Sequence, residues 1–93
     1  MIRSFVDKEA EKIWLGERCR RLPADIQSVA LHKLRMLNAA AHLDDLRIPP
    51  ANPLEALKGE RLGQYGIRIN GQWRICFLWM EGDVAEVDIV DYH

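Results

Sequence analysis

Hydrophobic positions follow a helical period in the first half of the chain and strict alternation in the last third. Ile2 to Phe5 alternates as a short strand does. Asp7 can then cap a helix carrying Ala10, Ile13 and Trp14 on one side and ending near Gly16. A second helix is predicted to open at Pro23, which suits a first helical position, with Ile26, Val29, Ala30, Leu34 and Leu37 forming its apolar stripe. Lys33 interrupts that stripe and Leu31 lies off it, as expected where two helices share one core and long side chains cover its rim. His32 and His42 fall in or just past this helix without partners at ligand spacing, so they read as surface or packing residues.

Between Leu46 and Gly63 stand Pro49, Pro50, Pro53, Gly59 and Gly63, too many breakers for a long helix. A connecting loop with local turns is predicted. It carries Glu55, Lys58, Glu60 and Arg61, which makes it a candidate wall of a site. The last third reads as a β-meander of Tyr65 to Asn70, Trp73 to Trp79 and Val84 to Val90, with turns at Asn70-Gly71 and Glu81-Gly82-Asp83.

The faces of these strands fix their register. Tyr65, Ile67 and Ile69 share one side of the first, and Trp73, Ile75, Phe77 and Trp79 share one side of the second. A two-residue Asn70-Gly71 turn would set Ile67 beside Arg74 and mismatch the apolar faces. A loop of Asn70-Gly71-Gln72 pairs Ile69 with Trp73 and Ile67 with Ile75 instead, and it places Arg68 across from Arg74. Two opposed guanidinium groups destabilise a sheet by a few tenths to about 1 kcal/mol unless an anion lies between them. Glu55, Glu60 or a bound phosphate can fill that place.

Composition narrows the possibilities. With 93 residues, 48% hydrophobic and 29% charged, and a net charge of -1, the chain is predicted to form one domain over residues 1–93, with any active site on its surface. No apolar run approaches the ~20 residues of a spanning helix, and Met1 to Phe5 leads directly into charged residues, so no membrane association and a cytoplasmic location are expected. Cys19 and Cys76 have no partners at ligand spacing and read as packed, reduced thiols. The near-neutral total hides an asymmetry: Arg47, Lys58, Arg61, Arg68 and Arg74 stand against only Glu55 and Glu60, after which Glu81, Asp83, Glu86, Asp88 and Asp91 follow with no basic residue among them. GxSxG, P-loop, HExxH and GxGxxG motifs are all absent, which leaves acid-base chemistry beside an anion. Asp91-Tyr92-His93 supplies a carboxylate, a phenol and an imidazole; alternation sets Asp91 and His93 on one side and Tyr92 on the other.

Leu57-Lys58-Gly59-Glu60, Asn70-Gly71-Gln72-Trp73-Arg74-Ile75-Cys76-Phe77 and the closing Val90-Asp91-Tyr92-His93, together with the opening Met1-Ile2-Arg3-Ser4-Phe5, resemble the HigB branch of the RelE/ParE toxin superfamily. The resemblance implies an α+β, RelE-like domain with two N-terminal helices packed on a small antiparallel β-sheet, in agreement with the periodicities. It also implies the toxin of a type II toxin-antitoxin pair, a ribosome-dependent mRNA endoribonuclease that inhibits translation. The implied partners are the ribosome and mRNA, a HigA-like helix-turn-helix antitoxin and, through that antitoxin, operator DNA. No metal or other cofactor is implied, because the ribose 2′-hydroxyl attacks the adjacent phosphate while the protein aligns and neutralises the transition state.

Residue by residue, the resemblance makes Arg74 the phosphate-stabilising arginine and Lys58 the basic loop residue, with Arg61 and Arg68 as further RNA contacts. Asp91, Tyr92 and His93 match the family's terminal set: orientation or base, substrate positioning and leaving-group protonation. Many relatives have a histidine where this chain has Glu55, so a His-His acid-base pair is not available. Glu55 is therefore either the general base or a counter-ion of Arg68 or Arg74. Two other functions stay open: a ParE-like DNA gyrase poison, since fold alone does not separate the branches, and a catalytically inactive antitoxin-binding module.

Overall fold

The computed structural model describes residues 1–47 and 54–91. Helix α1 (Lys8–Trp14) starts where its cap predicts: the Asp7 carboxylate accepts the Glu9 amide at 3.0 Å. Helix α2 (Ala24–Ala39) begins one residue later than expected, because Pro23, at φ -54° and ψ 140°, precedes the helix as its extended N-cap. Its buried stripe is Ile26, Ala30, Leu34 and Leu37. Val29, placed in that stripe from sequence, is instead exposed, while Leu31 packs against the core edge. The segment between the helices is held by the Gln27 amide, which donates to the Cys19 and Leu22 carbonyls at 2.6 and 2.9 Å and accepts the Cys19 N–H at 3.2 Å. Arg21 ties this corner to the sheet by pairing with Asp7 and donating to the Ile89 carbonyl at 2.8 Å.

Four antiparallel strands follow in the order β1 (Leu54–Ala56), β2 (Tyr65–Arg68), β3 (Trp73–Met80) and β4 (Asp83–Asp91). Short 3₁₀ turns at Leu43–Arg47 and Gly59–Arg61 complete the described elements. The loop predicted from Leu46 to Gly63 thus contains a strand, β1, which pairs Leu54, Glu55 and Ala56 with Ile67, Gly66 and Tyr65. Three residues after a proline are too few to show alternation, so β1 is defined by its partner rather than by its own pattern. The β2–β3 register is the one the apolar faces require: Ile67 meets Ile75, Arg68 meets Arg74, and the Ile69 N–H donates to the Trp73 carbonyl at 2.8 Å. Asn70 closes the intervening loop by accepting the Gln72 and Trp73 amides, each at 2.8 Å.

The core lies between one face of this sheet and the helices. Ile67, Ile75, Phe77, Val84, Val87 and Ile89 pack against Ala10, Ile13, Ala30, Leu34 and Leu37. Val84 and Val87 are three residues apart and would face opposite sides of a regular strand. A bulge between them reconciles their burial: Cys76 pairs with Asp88 but Leu78 pairs with Ala85, and Glu86 adopts φ 52°. The N-terminal segment matches that spacing with isolated parallel bridges from Ile2 to Val84 and from Phe5 to Val87, in place of the regular strand its alternation suggested.

The β3–β4 turn is shorter than predicted, since Asp83 already pairs with Met80. Glu81 and Gly82 both have positive φ, 48° and 91°, the geometry of a type I′ turn. Glutamate is a poor residue for the first of these positions. Glu81→Asn is expected to raise stability by about 0.5–1 kcal/mol, read as a higher urea midpoint at unchanged slope. An unchanged or lower midpoint would contradict it.

Candidate functional site

The face of the sheet opposite the core brings Glu55, Arg68 and Arg74 of the predicted residues together through strand pairing. Glu55, Gly66, Cys76 and Asp88 are successive cross-strand partners and form one row across all four strands. One step along, Arg68 pairs with Arg74, which pairs with Val90. Gly66 keeps the centre of this face low: a Cβ there would lie 3.2 Å from Leu57 Cδ2, so the buried Leu57 side chain occupies the space a larger residue would need.

Glu55 resolves the juxtaposition of the two arginines. Its carboxylate accepts from Arg74 Nη1 at 2.6 Å and lies 3.5 Å from Arg68 Nη2. Of the candidate acids, Glu55 rather than Glu60 is therefore the counter-ion. Arg74 is the sheltered member, with its side chain 13% exposed, against 47% for Arg68 and 40% for Glu55. A sheltered guanidinium on a central strand is positioned by backbone pairing, so it presents a fixed cation at the surface of the sheet.

Arg61 comes from the 3₁₀ turn after β1 and reaches Asp88 on β4, with Nη2 3.1 Å from its carboxylate, while Nη1 donates to Gln64 Oε1 at 3.1 Å. The residues that orient Arg61 were not singled out from sequence. The β3–β4 register supplies the signal, because once Cys76 faces Asp88 the carboxylate belongs to the Arg74 face. Two members of the acidic run after Arg74 accordingly pair with cations from distant segments: Asp88 returns to Arg61, and Asp83 lies 3.0 Å from Arg3.

Cys76 lies beneath this face, fully buried and free. Burial pushes its thiol up; Arg61 and Arg74 oppose that shift and Asp88 adds to it. It therefore stays a neutral, packed thiol, as does the buried Cys19, whose thiol is raised by burial and by donation to Glu9 at 3.0 Å. Lys58 is exposed at the start of the Gly59–Arg61 turn, and the Lys58 carbonyl accepts the Arg61 amide at 3.4 Å. Asp91 pairs with Trp73 and so shares the core-side face at the sheet's end, away from Arg74; its carboxylate accepts from Gln72 Nε2 at 3.0 Å. Tyr92 and His93 lie outside the described residues.

The described cavities lie elsewhere. The larger, about 460 Å³, is lined by Arg18, Cys19, Arg20, Leu22, Ala24 and Gln27 at the connection of the two helices. The arginine face is open, a form suited to an extended polyanion rather than an enclosed small molecule.

Residues 3–93 match the profile of a family described as the RelE-like toxin of type II toxin-antitoxin system HigB. The chain belongs to this family. Its relatives include Toxin HigB-1 of Vibrio cholerae, 40% identical over 94 residues that cover 100% of this chain and 98% of that protein. Endoribonuclease HigB of Proteus vulgaris is 28% identical over 93 residues and is covered completely, as is this chain. Among solved structures, the YoeB-YefM complex from Staphylococcus aureus contains a chain of the same fold, with TM-score 0.58 and 17% identity, covering 100% of this chain and 95% of that one. Membership makes the protein the toxin half of a toxin-antitoxin pair, built as two helices on a four-stranded antiparallel sheet. Among the described residues, no helix is long and apolar enough to cross a membrane.

Proposed function

We propose that this HigB-family toxin is an endoribonuclease that cleaves translated mRNA on the ribosome and so inhibits translation. The observation that carries the proposal is the opposed Arg68–Arg74 pair on an open sheet face, bridged by the Glu55 carboxylate, whose place a phosphate can take. The name of the Proteus vulgaris relative, Endoribonuclease HigB, supports the same activity.

In the proposed reaction the ribose 2′-oxygen bonds to the adjacent phosphorus as its proton passes to a base, and the P–O5′ bond breaks as the 5′-oxygen takes up a proton. A 2′,3′-cyclic phosphate and a 5′-hydroxyl result. Arg74, with Arg68 beside it, neutralises the extra charge on the pentacoordinate phosphorus. Lys58 and Arg61 hold flanking backbone, Tyr92 and His93 supply substrate positioning and leaving-group protonation, and Asp91, on the other face of the sheet from Arg74, acts only by orienting the imidazole. None of these steps calls on a metal or another cofactor. Outside the reaction, the partners are a HigA-like helix-turn-helix antitoxin and, through it, operator DNA; the setting is the cytoplasm.

Glu55 is the counter-ion that RNA displaces. Glu55→Gln should therefore retain cleavage and tighten RNA binding about two- to fivefold, the scale of a partly exposed ion pair. A loss of cleavage of two orders of magnitude or more would make Glu55 the general base instead.

The experiment that tests the function adds antitoxin-free protein to mRNA-programmed ribosomes and, in parallel, to DNA gyrase with supercoiled DNA. Breaks in mRNA without gyrase-dependent DNA breaks are expected. The reverse pattern would identify a gyrase poison, and no breaks in either would identify a binding module.

A further inference from the structure

Arg61 differs from an ordinary surface arginine in being held at two points. Nη2 meets the Asp88 carboxylate and Nη1 meets Gln64 Oε1, each at 3.1 Å, and the side chains of Arg61 and Asp88 are only 33% and 17% exposed. A guanidinium has five N–H donors, so these contacts orient the group and leave donors for a further anion. Asp88 lies in the row of Glu55, Gly66 and Cys76, and Arg74 one step along β3. Two residues of strand separate these rows, about 7 Å, the scale of one nucleotide of extended RNA backbone. The floor between them is apolar and covered, because Leu57 packs over Gly66 and Cys76 is fully buried, so neither position offers a charged group that competes for the phosphates.

We propose that Arg61, oriented by Asp88 and Gln64, forms a second phosphate subsite that binds the RNA backbone one nucleotide step away from the phosphate held at Arg74. This rests on the RNA-cleaving function proposed above and adds to it a positioning residue, Asp88, that acts only through Arg61. The toxin thereby grips two phosphates of a single strand and sets which bond lies over Arg74.

Charge and position make opposite predictions for Asp88. Removing a carboxylate makes the face more cationic, so simple electrostatics predicts tighter RNA binding for Asp88→Asn, whereas loss of orientation predicts weaker binding. The test measures fluorescence anisotropy of a labelled, fully 2′-O-methylated single-stranded RNA across a salt series, with thermal unfolding of each variant as a check on the fold. Arg61→Gln is expected to weaken binding and reduce the slope of log affinity against log salt by about 0.7, one single-strand phosphate contact. Asp88→Asn is expected to weaken binding about five- to tenfold, and Gln64→Ala, which removes a neutral acceptor rather than a charged one, to weaken it about twofold. In the Arg61→Gln background, Asp88→Asn should have no further effect. Tighter or unchanged binding in both Asp88→Asn and Gln64→Ala, or additive losses in the double variant, would overturn the subsite while leaving the RNA-cleaving function standing. If the wild-type protein does not bind this RNA at low salt, the subsite fails alone, because cleavage on the ribosome is read separately from the fragments made in mRNA.

Discussion

Arg74→Ala is expected to lower the rate of RNA cleavage by about 10²–10³ while leaving the protein folded, which is the scale for removing one preorganised donor from a developing oxyanion. Arg74 stands on β3, paired on both sides, with its side chain 13% exposed and bonded to Glu55. Its guanidinium therefore needs little reorganisation as charge builds on the phosphate. After the substitution Glu55 retains Arg68 at 3.5 Å and contact with water, so no unsolvated carboxylate is left behind. Arg74→Lys should recover only part of the rate, because an ammonium keeps the charge but loses the planar fork. Single-turnover cleavage beside thermal unfolding separates the two effects. Equal cleavage by the wild type and Arg74→Ala would remove Arg74 from the chemistry.

Phe77→Ala is expected to destabilise the fold by about 3–5 kcal/mol, enough to unfold much of a small domain whose total stability is of order 5–15 kcal/mol. Phe77 is the largest fully buried side chain, at the centre of the sheet's core face and stacked on Tyr65 with ring centroids 6.2 Å apart. It also stands opposite the β4 bulge, between the Cys76–Asp88 and Leu78–Ala85 pairs, where regular backbone pairing is interrupted. Side-chain packing therefore holds these strands together where the ladder does not. Urea unfolding should show a lower midpoint with little change in slope. A loss under about 1 kcal/mol would mean that the site repacks around the missing ring.

The parts of this architecture that were legible in the sequence are those governed by local periodicity. Asp7 as a cap, the stripe of Ile26, Ala30, Leu34 and Leu37, and the facing of Ile67 with Ile75 all follow from side-chain spacing. The same facing placed Arg68 against Arg74 and called for an anion between them, with Glu55, Glu60 or a phosphate as candidates, and the Glu55 carboxylate is there. What was not legible depends on pairing between distant segments. Strand β1 is ordered by Gly66 and its neighbours on β2, and Val84 and Val87 share one face only because Glu86 takes positive φ between them. Asp88 looked like part of an acidic run because its partner Arg61 is 27 residues earlier in the chain. Alternation likewise could not say which side of the sheet Asp91 would take, since that follows from its pairing with Trp73.

The most direct measurement of the central claim is the chemistry of the ends made in mRNA. Wild-type and Arg74→Ala proteins, freed of antitoxin, are incubated with mRNA-programmed ribosomes in EDTA, and the fragments are mapped by primer extension and tested for end groups. The account predicts cuts with a 5′-hydroxyl on one side and a 2′,3′-cyclic phosphate on the other, strongly reduced by Arg74→Ala. Intact mRNA with the wild-type protein, or cuts that persist undiminished with Arg74→Ala, would contradict it.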